Sequence, residues 1–139
     1  MNYNIESKTI AVDFDGTIVD HEYPKIGKEK LFAFSSLKKL QEDGHKLILW
    51  TYRAGPLLEE AVEFCRKNGI EFFAVNESYP GEKLDENTSR KIHADLFIDD
   101  RNLGGFPGWD NIIQQIRGEN SESNKQRKKK SFWDKLRGN

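Results

Sequence analysis

Residues 9–17 read TIAVDFDGT, and this stretch decides the fold. The run Thr9, Ile10, Ala11, Val12 is apolar and short enough for a buried strand. It breaks at once into Asp13, Phe14, Asp15, Gly16 and Thr17, so the strand hands two carboxylates to whatever lies beyond its end. Three further runs repeat the design. LILW at 47–50 is followed by Thr51, IEFFAV at 70–75 by Asn76, and LFI at 96–98 by Asp99 and Asp100. Short, nearly continuous apolar runs suit strands covered on both faces. Between the first two lies a helical pattern with Leu31, Phe34, Leu37 and Leu40, closed by Asp43-Gly44. Between the second and third, Leu58, Ala61, Val62 and Cys65 form a second stripe, closed by Asn68-Gly69. A last stripe, Trp109, Ile112, Ile113 and Ile116, follows the fourth strand. Alternating strands and helices predict an α/β protein, a Rossmann-like three-layer sandwich with a parallel sheet and right-handed crossovers.

With strands ordered 3-2-1-4, the winding reverses between the first and the fourth, and ligands of open parallel sheets bind at such a point, off the carboxyl ends. Asp13, Asp15, Asp99 and Asp100 then share one crevice. Four carboxylates at close quarters repel one another and raise their own pKa values unless a cation neutralises them. A hard divalent ion on oxygen ligands answers this, magnesium above others because it works with few carboxylates, retained waters and a substrate phosphate.

The rest of the composition sets limits. The 139 residues suffice for one ordinary domain. Residues 1–118 hold 15 Lys+Arg against 20 Asp+Glu, while residues 119–139 hold 7 against 3, so a net charge of −1 conceals an acidic body and a basic tail. The expected division is a catalytic domain at 1–118 and a disordered linker with a basic amphipathic tail at 119–139. An acidic body argues against a nucleic-acid-binding core. No apolar run of membrane-spanning length exists and the first residues lack a secretory pattern, so stable membrane insertion is not expected. One cysteine, Cys65, forms no internal disulfide, and a cytoplasmic location is expected.

Residues 9–17, with their apolar strand running into Asp-x-Asp-Gly-Thr, resemble the first motif of the haloacid dehalogenase superfamily. Thr51 after LILW resembles its second motif, Lys91 its third, and Ile98-Asp99-Asp100 its fourth. Together they span residues 8–117. The resemblance implies a magnesium-dependent phosphohydrolase, a phosphomonoester phosphatase working through an aspartyl-phosphate on a small phosphate ester or nucleotide. It implies Asp13 as nucleophile and Asp15 as general acid and base. Thr51 and nearby backbone N–H groups would hold the phosphoryl oxygens, with Phe14, Gly16, Thr17, Tyr52 and Arg53 as phosphate- or substrate-binding positions. Lys91 would offset negative charge, and Asp13, the backbone carbonyl of Asp15, and Asp99 or Asp100 would hold Mg2+. Gly16 lets the chain leave extended geometry after Asp13, without which side chains two apart would diverge.

Other residues carry two readings. Lys83 and Arg90 share the flexible stretch with Lys91. Arg53 and Arg101 flank the site and either grip phosphate or pair with its carboxylates. Asn76, Glu77 and Tyr79 follow the third strand and read as a turn or a substrate contact. His21, just beyond the nucleophile loop, reads as a leaving-group contact or, in preference, a surface histidine, and Cys65 and the Trp109 stripe are expected in the core.

Members of the superfamily that act on small molecules often carry a cap inserted after the first motif or between the second and third. Residues 20–27 and 76–91 are both too short for one, so the chain resembles the capless group. A bulky substrate or a neighbouring subunit in a homo-oligomer would then complete the open site. In the tail, KQRKKKSFWDKLRGN suits docking to an acidic partner, a polyanion or a membrane surface, or simple solubility. Two competing functions follow: a phosphatase for nucleic-acid ends or phosphoproteins docked by the tail, and a non-catalytic interaction module on the same fold. A receiver domain fits poorly, because its acceptor aspartate follows the third strand, where this chain has Asn76.

Overall fold

A computed structural model describes residues 6–118; the expected linker and basic tail at 119–139 lie outside the described residues. The chain divides into two units, residues 1–106 and 107–139. The first holds β1 (Thr9–Val12), α1 (Ala33–Glu42), β2 (Lys46–Leu49), α2 (Gly55–Lys67), β3 (Ala74–Val75) and β4 (Leu96–Ile98). The three pairings of the four-stranded sheet are parallel and the order is β3-β2-β1-β4, an α/β Rossmann-like sheet as the alternation of elements predicts. The second unit contributes α3 (Trp109–Arg117), with Asp110 in its first turn and Arg117 in its last, the signs its dipole favours.

Register carries the site. Val12 pairs with Leu49 on one side and Ile98 on the other, and Leu49 pairs with Val75. Asp13 N–H donates to the Ile98 carbonyl, Trp50 N–H to Val12 and Asn76 N–H to Leu49, so the ladder continues to the carboxyl edge. Asp13, Thr51, Asn76 and Asp99 therefore leave the sheet at nearly one level. On one face Ala11, Ile48 and Ala74 stand in register and are closed by Ile92, with Trp50, Phe73 and Ala94 beside them. Phe34 of α1 and Phe64 of α2 meet with ring centroids 5.8 Å apart, and Phe64 also meets Phe14 edge-on at 6.2 Å.

Several boundaries differ from the sequence expectation. Leu31, expected on the first helical stripe, is 77% exposed and precedes the helix. Its neighbourhood is tied elsewhere: Lys30 N–H donates to the Ile18 carbonyl and Asp20 N–H to Lys28. Phe32 then turns left-handed at φ 66°, and the helix starts after it. With no capping side chain at Phe32, Glu29 Oε1 accepts from Phe34 N–H at 3.2 Å. The third strand, expected over 70–75, is reduced to Ala74–Val75, because Ile70 N–H still donates to Cys65 in the turn that ends α2. Residues 76–95 cross from β3 to β4 without a helix. They are held by local bonds such as Ser78 N–H to Glu82 Oε1 and His93 N–H to Ser78 Oγ. Neither this stretch nor residues 20–30 adds a helix or ladder strand among the described residues. Among those residues, no helix is long and apolar enough to cross a membrane.

Candidate functional site

β1 ends in a tight turn. The Phe14 carbonyl accepts from the N–H groups of Thr17, Ile18 and Val19, and Gly16 N–H donates to Val19. Gly16 sits at φ 84°, where a side chain is strained, and a Cβ there would overlap the Asp100 carboxylate. Glycine is thus required twice, by the turn and by the close approach of Asp100. Thr17 is buried and its Oγ1 donates to Asp13 Oδ2 at 3.3 Å.

Asp13, Asp99 and Asp100 each present a carboxylate oxygen, and these atoms lie within 4.8 Å of one another. Burial, then the charge of Asp99, push the Asp13 carboxyl from its ordinary 3.8 up to about 7; the Phe14 N–H pulls it down, and Asp100 adds to the rise. Crowded carboxylates of this kind suit a hard cation: all the donors are oxygens, and the cost of bringing them together is relieved by positive charge.

Asp15 stands apart from that trio. Arg53 clamps it bidentately, Nε to Oδ2 and Nη2 to Oδ1, both at 2.8 Å. Arg53 also donates from Nη1 to the carbonyls of Pro24 (3.1 Å) and Leu57 (3.5 Å), and from Nη2 to Lys25 (2.9 Å). All five of its N–H groups are used and the residue is 1% exposed. Of the two readings of Arg53, pairing with a site carboxylate is the one observed, and the phosphate grip is corrected: its fork is committed to Asp15, to the loop at 24–25 and to Leu57. The hydrogen bonds to Asp15 raise its own pKa. The Arg53 guanidinium lies against the rings of Phe14 (5.1 Å) and Tyr23 (5.3 Å). Phe14 is fully buried, so its side chain is core rather than a substrate contact.

Thr51 is fixed from two sides. Its N–H donates to Asn76 Oδ1 at 2.8 Å, and its Oγ1 accepts from Arg53 N–H at 3.1 Å. The backbone donor of Thr51 is therefore spent, while its hydroxyl proton is free to donate. Asn76, one of the turn residues after the third strand, holds this position at φ 52°, a left-handed setting that asparagine tolerates.

A cavity of about 590 Å³ opens over these groups, lined by the four aspartates and Thr51, with His21, Tyr23, Trp50, Tyr52 and Arg101 around them. Lys91 and Lys83 are exposed and do not line it. Among the residues that line it the arginine is Arg101, itself exposed. The backbone N–H of Arg101 donates to Asp99 Oδ1 at 3.0 Å, fixing that carboxylate. Tyr23, which no motif in the sequence singles out, lines the cavity from the connection between β1 and α1. Cys65 is buried and its thiol is pushed up to about 12 by burial, which leaves it inert core.

No family model matches the sequence. No curated protein matches it either. Among solved structures, that of a conserved protein from Bacteroides thetaiotaomicron is 53% identical, with a TM-score of 0.78, over 85% of this chain and 96% of the other. An alignment that close over nearly the whole of the other protein establishes kinship, and the chain belongs to the same family as this conserved Bacteroides protein.

Proposed function

We propose that the protein is a magnesium-dependent phosphohydrolase that cleaves phosphomonoesters through an aspartyl-phosphate on Asp13. The observation that carries this reading is the convergence of Asp13, Asp99 and Asp100 within 4.8 Å at the point where the sheet's winding reverses. Asp13 attacks phosphorus in line and water later cleaves the acyl phosphate. Asp15 gives a proton to the leaving oxygen in the first half-reaction and recovers one from the attacking water in the second. Its Arg53 clamp occupies one lone pair on each oxygen and leaves another for that proton. The Thr51 hydroxyl donates to a phosphoryl oxygen, and Arg101 supplies positive charge from the wall. The carboxylates of Asp13, Asp99 or Asp100 and the Asp15 carbonyl would hold Mg2+, whose chemistry is to neutralise charge on the carboxylates and phosphate.

The test is hydrolysis of 4-nitrophenyl phosphate. The reading expects turnover with Mg2+, loss with a chelator, and a fall in Asp13→Asn to the level of the no-enzyme control. Turnover in that variant equal to wild type would remove the mechanism.

A further inference from the structure

Beyond the carboxylates, the cavity has a second kind of wall. Tyr52 follows Thr51 directly and is 90% exposed, while Tyr23 faces it with ring centroids 6.2 Å apart at 68°. A single exposed tyrosine needs no explanation. Two on the rim of one cavity, held edge to face, do. Tyr23 is backed by the Arg53 guanidinium, itself buried and bonded to the carbonyls of the two residues after Tyr23. The ring therefore sits on the same rigid clamp that orients Asp15. Tyr52 projects beside it and leaves most of its ring to solvent.

We propose that Tyr52, braced by Tyr23, is a stacking platform that selects phosphomonoesters carrying a planar aromatic group. The inference rests on the phosphohydrolase reading and names its substrate class. The cavity, about 590 Å³, is far larger than a phosphate ion and falls in the ordinary range for small-molecule sites. Beside the four aspartates and Thr51 it is lined by His21, Arg101 and three aromatic side chains, Tyr23, Trp50 and Tyr52. An aromatic group needs a face, and Tyr52 offers one. An aryl ring and a nucleobase share this chemistry.

The experiment compares wild type, Tyr52→Ala and Tyr52→Phe on an aryl arm (4-nitrophenyl phosphate, phosphotyrosine), a nucleotide arm (adenosine and uridine 5′-monophosphates) and an aliphatic arm (glycerol 2-phosphate, glucose 6-phosphate). Each variant is judged against wild type on the same substrate, so leaving-group reactivity cancels. Tyr52→Ala is expected to lower kcat/KM on an aromatic arm by about fivefold to a hundredfold, mainly through KM. The aliphatic arm should stay within about twofold, and Tyr52→Phe should behave as wild type, because the ring and not the hydroxyl does the work. Whichever aromatic arm loses more identifies the source. Equal losses on all arms, no loss on any, or a loss in Tyr52→Phe matching that in Tyr52→Ala would overturn the platform. Calorimetric binding of phenylphosphonate against methylphosphonate, with Mg2+, needs no turnover. The phenyl compound should bind more tightly in wild type, and Tyr52→Ala should erase the difference. No turnover on any substrate with that difference intact would sink the phosphohydrolase and keep the platform; turnover with no difference would do the reverse.

Discussion

At Asp15 the carboxylate has an exposed fraction small enough, 11% at the side chain, that its partner matters. Arg53→Met would leave it without its guanidinium, at a cost of about 3–5 kcal/mol in urea unfolding. Asp15→Asn combined with Arg53→Met should recover part of that, and strictly additive losses in the double variant would show that the pair is not coupled. The neighbouring cations make a second prediction. Arg101→Ala should lower kcat/KM for 4-nitrophenyl phosphate by about tenfold or more, the order expected when a charged group leaves a developing phosphoryl charge. Lys91→Ala, altered at an exposed residue off the cavity wall, should stay within about threefold. The opposite ranking would mean that residues 76–91 move onto the substrate. Arg53, Arg101 and Lys91 show where sequence reading stops. Asp13, Asp15, Thr51, Asp99 and Asp100 were legible because each combines a reactive type with a strand end. Which carboxylate Arg53 takes was not, since a residue 38 positions away can be matched only once the turn after β1 and the start of α2 are folded against each other.

Among the elements, the strands and helices were legible in existence and order because their apolar spacing is set by burial. So were the helix C-termini at Asp43-Gly44 and Asn68-Gly69 and the bounds of β1 and β4; the starts of α1 and β3 were not, because single hydrogen bonds with no pattern in the sequence fix them. Ile70 held in the α2 turn and Lys30 tied to Ile18 are two such bonds. Asn76, at the other end of β3, carries function with it. It stops β3 at φ 52° and turns its side chain onto the Thr51 N–H, joining the ends of β3 and β2. Asn76→Ala should therefore cost about 1–2 kcal/mol from the lost bond and the left-handed backbone together. It should also lower kcat for 4-nitrophenyl phosphate, because Thr51 loses one of its two anchors. Asn76→Gly relieves the backbone but not the bond, so it should be the more stable of the two variants and equally impaired in kcat. If Asn76→Gly restored kcat to wild type, the side-chain bond would have no part in placing Thr51.

For the molecule as a whole, the cost of gathering carboxylates should be visible as a dependence of stability on pH. Asp13 has a folded pKa of about 7 against an ordinary 3.8, so between those values the folded state holds more of this proton than the unfolded chain does. Its contribution is therefore fully present below about pH 4 and is lost as pH rises through about 7. His45 works in the other direction. Burial lowers its pKa below the ordinary 6.5, against the charge of Asp43, so the folded state favours the neutral ring and stability is lost as pH falls through that lowered value. In chelator, thermal unfolding of wild type should show the Asp13 decline between pH 4 and 7, and Asp13→Asn should remove it, leaving the rise with pH that His45 contributes. Adding MgCl2 at pH 8 should raise the Tm of wild type, since a bound cation favours the ionised carboxylates that repel one another without it, and should raise that of Asp13→Asn less. Identical pH slopes for the two proteins, with no Mg2+-dependent rise in wild type, would mean that the three aspartates neither burden the fold nor bind the ion. The chemistry assigned to Asp13 would then lose its physical basis.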